Sequence, residues 1–328
     1  MELHDTYNRS IDYLRVSVTD RCNFRCVYCM PPEGLELLKH SDILTYEELV
    51  RIIAVLTRQG IRKVRITGGE PLVRKGIVDF VRAVKSLGSI DDLSLTTNGS
   101  LLAPLAEHLK AAGLDRVNIS LDTINPERFH FITGNCGQLS DTLKGIESAL
   151  QAGLTPVKLN VVLSEAVTEA DIAYFSELVI AQPVAIRFIE YMPIGHGGVG
   201  PGMSVQTVKE LLEKYTANIL DPVASNGKGN GPAKYYRVAK AKGCFGFITP
   251  ISEHFCGSCN RIRLTADGKF RPCLLSNQEL DIKTPLRNGA TDTELVRLFS
   301  QVIGQKPGEH KLTGDDHGFK RKMSQIGG

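Results

Sequence analysis

Between residues 1 and 195 the apolar positions follow two alternating periods, and the regularity of the switching predicts an architecture. Short β-branched runs at Leu14 to Val18, Lys63 to Thr67, Leu93 to Thr97, Arg116 to Leu121, Pro156 to Leu163 and Ala185 to Tyr191 read as strands. Each has a helix-like segment behind it or close to it. The first clear one starts at Thr45, with Glu48 three residues on as a capping box, carries Leu49, Ile52, Ile53 and Leu56 on one face, and stops at Gly60. Similar segments end near Gly88, Gly113 and Gly153. Six such units predict an α/β protein whose parallel sheet curls into a partial (β/α)6 TIM-like barrel, with the chemistry at the carboxyl ends of the strands.

Polar residues interrupt this pattern where a buried parallel strand would be apolar. Arg65 lies two residues before Thr67, so strand alternation points both to the same side of the sheet, and an arginine inside a barrel calls for an anion. Thr67-Gly-Gly-Glu-Pro71 reads by itself as a glycine turn with proline in the first turn of a helix. Thr96-Thr-Asn-Gly99 and Asn118-Ile-Ser-Leu-Asp122 taken singly are turns or caps. At matching strand ends they predict a lined cavity.

Past residue 195, Gly195 to Gly202 contains a formal G-x-G-x-x-G, but it does not join a strand to a helix. Asp221, the acidic residue at about the right distance, follows a helix-like stretch from Ser204 to Tyr215. A flexible glycine linker is the better reading, dividing the chain into domains 1–195 and 196–328.

Composition narrows the function classes. The 328 residues are 42% hydrophobic and 23% charged with a net charge of +3, ordinary for a globular enzyme and too weak a field to predict nucleic-acid or membrane attachment. No apolar run approaches the roughly 20 residues of a membrane span, and Met1 to Ser10 lack the pattern of a secretory signal. A cytoplasmic location with reduced thiols is expected. Of the eight cysteines, Cys136 and Cys244 stand alone and are expected to be inert buried thiols.

The other six form two trios. Cys22-x3-Cys26-x2-Cys29 follows the first strand. An iron–sulfur cubane normally takes four thiolates, so three leave one iron open to a reactant. A structural zinc would need a second pair, and only His40 lies near in sequence; spacing alone leaves both metals open. The second trio is Cys256-x2-Cys259 with Cys273 beyond an Asp267-Gly268 hairpin, and with His254 nearby it has the make-up of a small zinc domain. Against zinc, the cysteines again number three, and Arg261 and Arg263 alternate along the strand leaving the knuckle, which favours a second open cluster beside a cationic surface.

The run from Arg15 to Pro31, with Tyr28 just before the third cysteine, resembles the cluster loop of radical S-adenosylmethionine (SAM) enzymes. Together with the second trio, its Asn260-Arg-Ile-Arg263 sequence and the terminal Gly327-Gly328, it makes the chain similar nearly end to end to the branch of that superfamily that acts on GTP at the start of molybdenum cofactor biosynthesis. The resemblance implies a partial barrel holding the SAM cluster and a C-terminal α+β extension that closes the barrel mouth and carries the second cluster. It implies two 4Fe–4S clusters, on Cys22, Cys26 and Cys29 and on Cys256, Cys259 and Cys273. SAM as cosubstrate would meet Tyr28, Gly69, Ser120 and Met192, and GTP would meet Arg15, Arg65, Thr96, Lys158, Arg261, Ile262 and Arg263, with Arg15, Arg261 and Arg263 also catalytic. Several cations converging on one cavity suit a triphosphate, and the planar fork of arginine suits paired phosphate oxygens.

The implied chemistry is reductive cleavage of SAM, hydrogen removal from C3′ of the ribose and addition of that carbon to C8 of guanine, giving 3′,8-cyclo-7,8-dihydro-GTP. The implied partners are GTP, SAM, an external electron donor and the next enzyme of the pathway, with no nucleic acid and no membrane; a homodimer is left open. The Gly-Gly tail, preceded by basic Lys320-Arg-Lys322, is expected to enter the active site. Three rival readings are a radical SAM enzyme acting on a peptide, an RNA-modifying relative, and an interaction protein with two structural zincs.

Overall fold

The computed structural model describes residues 3–31, 33–194, 199–224, 231–310 and 318–327. The N-terminal part runs β1 (Tyr13–Ser17), α1 (Tyr46–Thr57), β2 (Lys63–Thr67), α2 (Ile77–Lys85), β3 (Asp92–Thr97), α3 (Ala106–Ala111), β4 (Arg116–Ser120), α4 (Pro126–Ile132), α5 (Leu139–Gln151), β5 (Val157–Leu163), α6 (Glu169–Ala181) and β6 (Val184–Glu190). All six expected strands are present, each within two residues of its expected ends. The capping box of α1 forms as read: Glu48 N–H donates to Thr45 Oγ1 at 3.2 Å and Thr45 N–H donates to Glu48 Oε2 at 2.7 Å. Gly60, at φ 109°, lets the chain leave the helix in a conformation a Cβ would oppose.

These six strands pair in parallel in the order β1 to β6. Alternation then sorts their side chains onto two faces. Leu14, Val16, Val64, Ile66, Leu93, Leu95, Val117, Ile119, Leu159 and Val161 are fully buried in the hydrophobic core. They pack with helix residues such as Leu49, Ile53 and Leu56 of α1 and Phe80 and Val84 of α2, each side chain contributing roughly 1.5–3 kcal/mol of transfer free energy. The opposite face carries Arg15, Arg65, Ser94, Arg116, Asn118, Lys158, Asn160 and Arg187. A polar inner face is what separates this sheet from the apolar run expected of a parallel strand buried on both sides.

The remainder of the chain adds α7 (Val205–Thr216), β7 (Asp221–Val223), β8 (Lys234–Arg237), β9 (Cys244–Ile248), β10 (Arg261–Leu264), β11 (Lys269–Arg271), β12 (Leu280–Asp281), α8 (Lys283–Arg287), α9 (Asp292–Gly304) and α10 (Met323–Ile326). Its strands extend both edges of the same sheet, giving the order β12-β11-β10-β1-β2-β3-β4-β5-β6-β9-β8-β7, with β10 parallel to β1 and β9 parallel to β6. β10 and β11 are the two strands of the expected hairpin. The second trio therefore arrives at the mouth of the barrel on strands continuous with it.

Two expectations need correction. The glycine-rich stretch behaves as a docked segment where it is described: Gly202 N–H donates to Leu163 O at 3.0 Å, Gly200 N–H to Glu165 Oε1 at 3.0 Å, and Tyr191 Oη to Val199 O at 2.8 Å. A Cβ on Gly202 would stand 2.1 Å from Ser164 O, so glycine here serves close backbone approach rather than freedom. Residues 195–198 of that stretch lie outside the described residues. Cys244 is buried as expected, but Cys136 is exposed, because it sits in the turn after α4 rather than on a strand. Among the described residues no helix is long and apolar enough to cross a membrane.

Candidate active site

The loop after β1 carries the first trio and is held by main-chain bonds to the end of β2. Val18 N–H donates to Thr67 O at 2.8 Å, Gly69 N–H to Thr19 O at 2.7 Å, and Glu70 N–H to Arg21 O at 2.8 Å. A Cβ on Gly69 would lie 2.4 Å from Arg21 O and one on Gly68 2.7 Å from Thr19 O, so these glycines are required in the first place by the packing of the two loops. Glu70, 1% exposed, accepts from Leu72 N–H, Thr97 Oγ1 and Asn98 N–H at 2.7–3.0 Å and ties the ends of β2 and β3 together; burial raises its carboxyl to about 7. Tyr28 Oη donates to Asp122 Oδ2 at 2.7 Å, and Val162 N–H donates to the other oxygen at 2.8 Å, joining the cluster loop to the ends of β4 and β5.

All six trio cysteines line one cavity of about 330 Å³. Its wall also includes the expected SAM contacts Tyr28, Gly69, Ser120 and Met192 and the expected GTP contacts Arg15, Arg65, Thr96, Arg261 and Arg263. Lys158 and Ile262 are placed otherwise. Ile262 points to the hydrophobic core between its two arginine neighbours, leaving only its main chain toward the cavity. Lys158 is 2% exposed, with Nζ 3.4 Å from Tyr235 Oη, behind the wall rather than in it. His40, the sequence neighbour considered for zinc, is exposed in a short 3-10 turn.

The donor sets can be compared with what each metal takes. Among the described residues, the one group of three possible ligand atoms lying within 4.8 Å of one another is His254, Cys256 and His310, whose rings stack at 4.3 Å between centroids. Neither thiol trio is that tight. A single tetrahedral zinc with bonds of about 2.3 Å holds its sulfurs about 3.8 Å apart, whereas a cubane spreads its thiolates over separate irons. Burial, then the neighbouring thiols, pushes Cys26 well above the usual thiol range, and burial, then Cys22, pushes Cys29 up to about 12. The second trio differs: against burial, Arg261 and Lys306 draw Cys259 down to about 6.

Strand register explains the cation density. Arg263 of β10, Arg15 of β1 and Arg65 of β2 are direct cross-strand neighbours. Burial and then repulsion from Arg261 presses Arg263 down to about 9, and burial with repulsion from Arg116 and Arg187 presses Arg65 down to about 10. An arginine keeps its proton in a protein, so this pressure stands as positive potential in the cavity. Arg116, in the same row, is neutralised by a two-pronged pair with Asp92 at 2.8 and 2.6 Å. Thr96 Oγ1 is buried and, among the described residues, has no hydrogen-bond partner, while Thr96 itself lines the cavity.

The tail also reaches the cavity. Met323 and Ser324 line it, and Arg263 Nη1 donates to Gly327 O at 2.6 Å. A Cβ on Gly327, which has φ 70°, would sit 2.8 Å from Thr67 Cγ2. Gly328 lies outside the described residues.

Comparison with known proteins agrees with this arrangement. Residues 16–179 match the Radical SAM superfamily, and residues 184–312 match the family described as Molybdenum Cofactor Synthesis C. The GTP 3′,8-cyclase of Heliobacterium modesticaldum is 52% identical over 328 residues, covering 99% of both chains. The chain belongs to the GTP 3′,8-cyclase family. The family enzymes of Desulforamulus reducens and Moorella thermoacetica are 50% and 47% identical, over 99% of this chain and 99% and 100% of theirs. GTP 3′,8-cyclases are radical SAM enzymes of the first step of molybdenum cofactor biosynthesis and use two 4Fe–4S clusters.

Among solved structures the chain is similar to Streptococcus suis SuiB bound to S-adenosylmethionine, at 13% identity and TM-score 0.62, covering 96% of this chain and 79% of that one. SuiB bound to precursor peptide SuiA gives 14% identity and TM-score 0.63, with 93% and 73% covered. At such identity the likeness concerns the fold, the α/β TIM-like partial barrel of radical SAM enzymes.

Sequence reading passed over Arg187, which lies on the cavity wall, 3% exposed, with Nη2 held by Asn118 Oδ1 at 2.7 Å and Asn160 Oδ1 at 2.5 Å. Its signal was present: a charge in the middle of the buried run Val184–Glu190, as Arg65 is in β2. A Cβ on Gly246 would stand 2.9 Å from the Tyr235 ring and 3.2 Å from Arg187 Cγ, so glycine there leaves room for both. Lys306 gave no comparable signal.

Proposed function

We propose that this chain converts GTP to (8S)-3′,8-cyclo-7,8-dihydroguanosine 5′-triphosphate, with Cys22, Cys26 and Cys29 holding the cluster that takes SAM and Cys256, Cys259 and Cys273 holding a second, open cluster beside the guanine. The observation that carries this reading is that both three-thiol sets line one cavity whose wall is a row of buried, mutually repelling cations. When bound, the reduced first cluster and SAM supply a carbon-centred radical for hydrogen abstraction.

The chain's own residues bind, orient and exclude water. Arg263, Arg15 and Arg65 stand side by side on β10, β1 and β2, each pressed by burial and by repulsion from neighbouring arginines, so a triphosphate would relieve repulsion there. Arg261 and Arg263 lie between the second trio and Arg15 and would hold the nucleotide against both. Tyr28, Gly69, Ser120 and Met192, which line the same cavity, are the proposed SAM contacts. We assign residues 1–195 to the SAM half and 196–328 to the half that closes over GTP. An external one-electron donor, transfer of the product to the next enzyme of the pathway and a cytoplasmic location belong to the same proposal. The peptide-acting rival would need no such row of cations.

Lys158 provides the test. Burial, then repulsion from Arg116, Arg187 and Arg65, pushes its ammonium down to about 6, so at pH 8 it is mainly neutral in the free protein. A triphosphate in the cavity beyond that wall favours the charged form through space, so GTP binding is expected to take up a fraction of a proton at pH 8 and to weaken as pH rises above 6. Calorimetry in buffers of different ionisation enthalpy reads this uptake. Lys158→Met is expected to remove it, and guanosine, which lacks phosphates, is expected to bind far more weakly. Equal binding of guanosine and GTP with no proton uptake would overturn the reading.

A further inference from the structure

Lys306 follows α9 by two residues, is 4% exposed, and faces the second thiol trio. Its Nζ donates to Arg261 O at 2.8 Å, to Pro272 O at 2.9 Å and to Cys259 Sγ at 3.4 Å. A lysine is seldom buried this fully unless paired. Of its three acceptors only the sulfur can carry a full negative charge.

The geometry also says what Lys306 does not do. An ammonium has three N–H donors, and here each has an acceptor, so none is left for a phosphate although Lys306 borders the cavity. Arg261 is different. Its guanidinium is 3.6 Å from the same sulfur but stacks on Phe255 at 5.0 Å and offers further donors to a ligand. The two carbonyls that fix Lys306 lie on the arms of the β10–β11 hairpin, at Arg261 and at Pro272 next to Cys273. Lys306 thus ties the two arms together and presents its remaining proton to Cys259.

We propose that Lys306 is a positioning residue that sets the reduction potential of the second cluster, its ammonium clamped onto the Cys259 sulfur and favouring the reduced form. Hydrogen bonds to cluster sulfurs and local charge are among the levers that fix such potentials. The inference rests on the reading that Cys256, Cys259 and Cys273 hold a cluster.

The test is an EPR-monitored redox titration of the full-length, anaerobically loaded protein, with SAM and GTP added separately to assign the two cluster signals. Lys306→Met is expected to keep about eight irons per chain, four for each cubane. At the potential where the unsubstituted second cluster is half reduced, the variant's reduced-to-oxidised ratio is expected to be at least about tenfold lower, a shift of about 59 mV for one electron. The first cluster's midpoint stays in place. A fully loaded Lys306→Met with an unchanged second midpoint overturns the proposal. If that variant loses the second cluster, Lys306→Arg decides: loading with the original midpoint supports the proposal, while a shifted midpoint or no loading reduces Lys306 to a structural clamp and overturns it. About four irons in the unsubstituted protein would instead sink the underlying cluster assignment.

Discussion

Replacing Cys26 with alanine is expected to lower SAM cleavage and GTP cyclisation by at least about 10³-fold, equivalent to about 4 kcal/mol of barrier. Cys26 is the middle thiol of the first trio and a proposed cluster ligand. Burial and the flanking thiols hold it well above the usual thiol range, so bound iron is what makes it a thiolate. A three-thiol cage has no spare ligand, and losing one leaves the cluster two protein anchors. Iron per chain is expected to fall from about eight to about four, with the second cluster's spectrum retained. Cys136→Ser is the matched control, since Cys136 is exposed and absent from the cavity wall. Iron and sulfide analysis with a 5′-deoxyadenosine assay checks both variants. Full SAM cleavage by Cys26→Ala would contradict the assignment of this trio.

Arg263→Ala is expected to leave both clusters loaded yet reduce cyclisation at saturating GTP by about 10²-fold or more, since deleting one partner of a buried charged contact costs about 2–5 kcal/mol. Arg263 is 6% exposed, stands beside Arg15 in the sheet, and donates to Gly327 O at 2.6 Å. Its removal takes one cation from the row that would meet the triphosphate and frees the tail segment from the cavity. Arg263→Lys keeps a charge but not the planar fork, so partial recovery is expected. Steady-state rates of 5′-deoxyadenosine and cyclised nucleotide, measured together, separate loss of SAM cleavage from loss of coupling to GTP. Unchanged cyclisation in Arg263→Ala would remove this residue from the mechanism.

The legible parts of the fold were those that repeat. Strand alternation in runs such as Lys63-Val-Arg-Ile-Thr67 fixes both the strand and its inward side chains, and the Thr45 and Glu48 pair marks where α1 begins. The six cysteines were legible from their spacing, and the strand-end polar motifs because their residue types are costly to bury without a partner. What escaped depends on contacts distant in sequence. The need for glycine at 68 and 69 comes from the backbone of Thr19 to Arg21, some fifty residues earlier. The docking of Gly202 depends on Ser164, and Lys306 meets Cys259 through the packing of α9 behind β11. Arg187 resembled Arg65 in pattern, but only the sheet order brings the two to one wall. Cys136 shows the reverse: its residue type suggested burial, and its place in a turn after α4 decides otherwise.

The account rests on two cubanes, each one thiol short, sharing a single cavity. Mössbauer spectroscopy of anaerobically loaded, iron-57-enriched protein tests this most directly, with SAM and GTP added one at a time. The expected result is about eight irons per chain in two cubanes, with SAM altering one distinct iron site in the first and GTP altering one distinct site in the second. Four irons accompanied by zinc, or a second cluster whose spectrum ignores GTP, would contradict it.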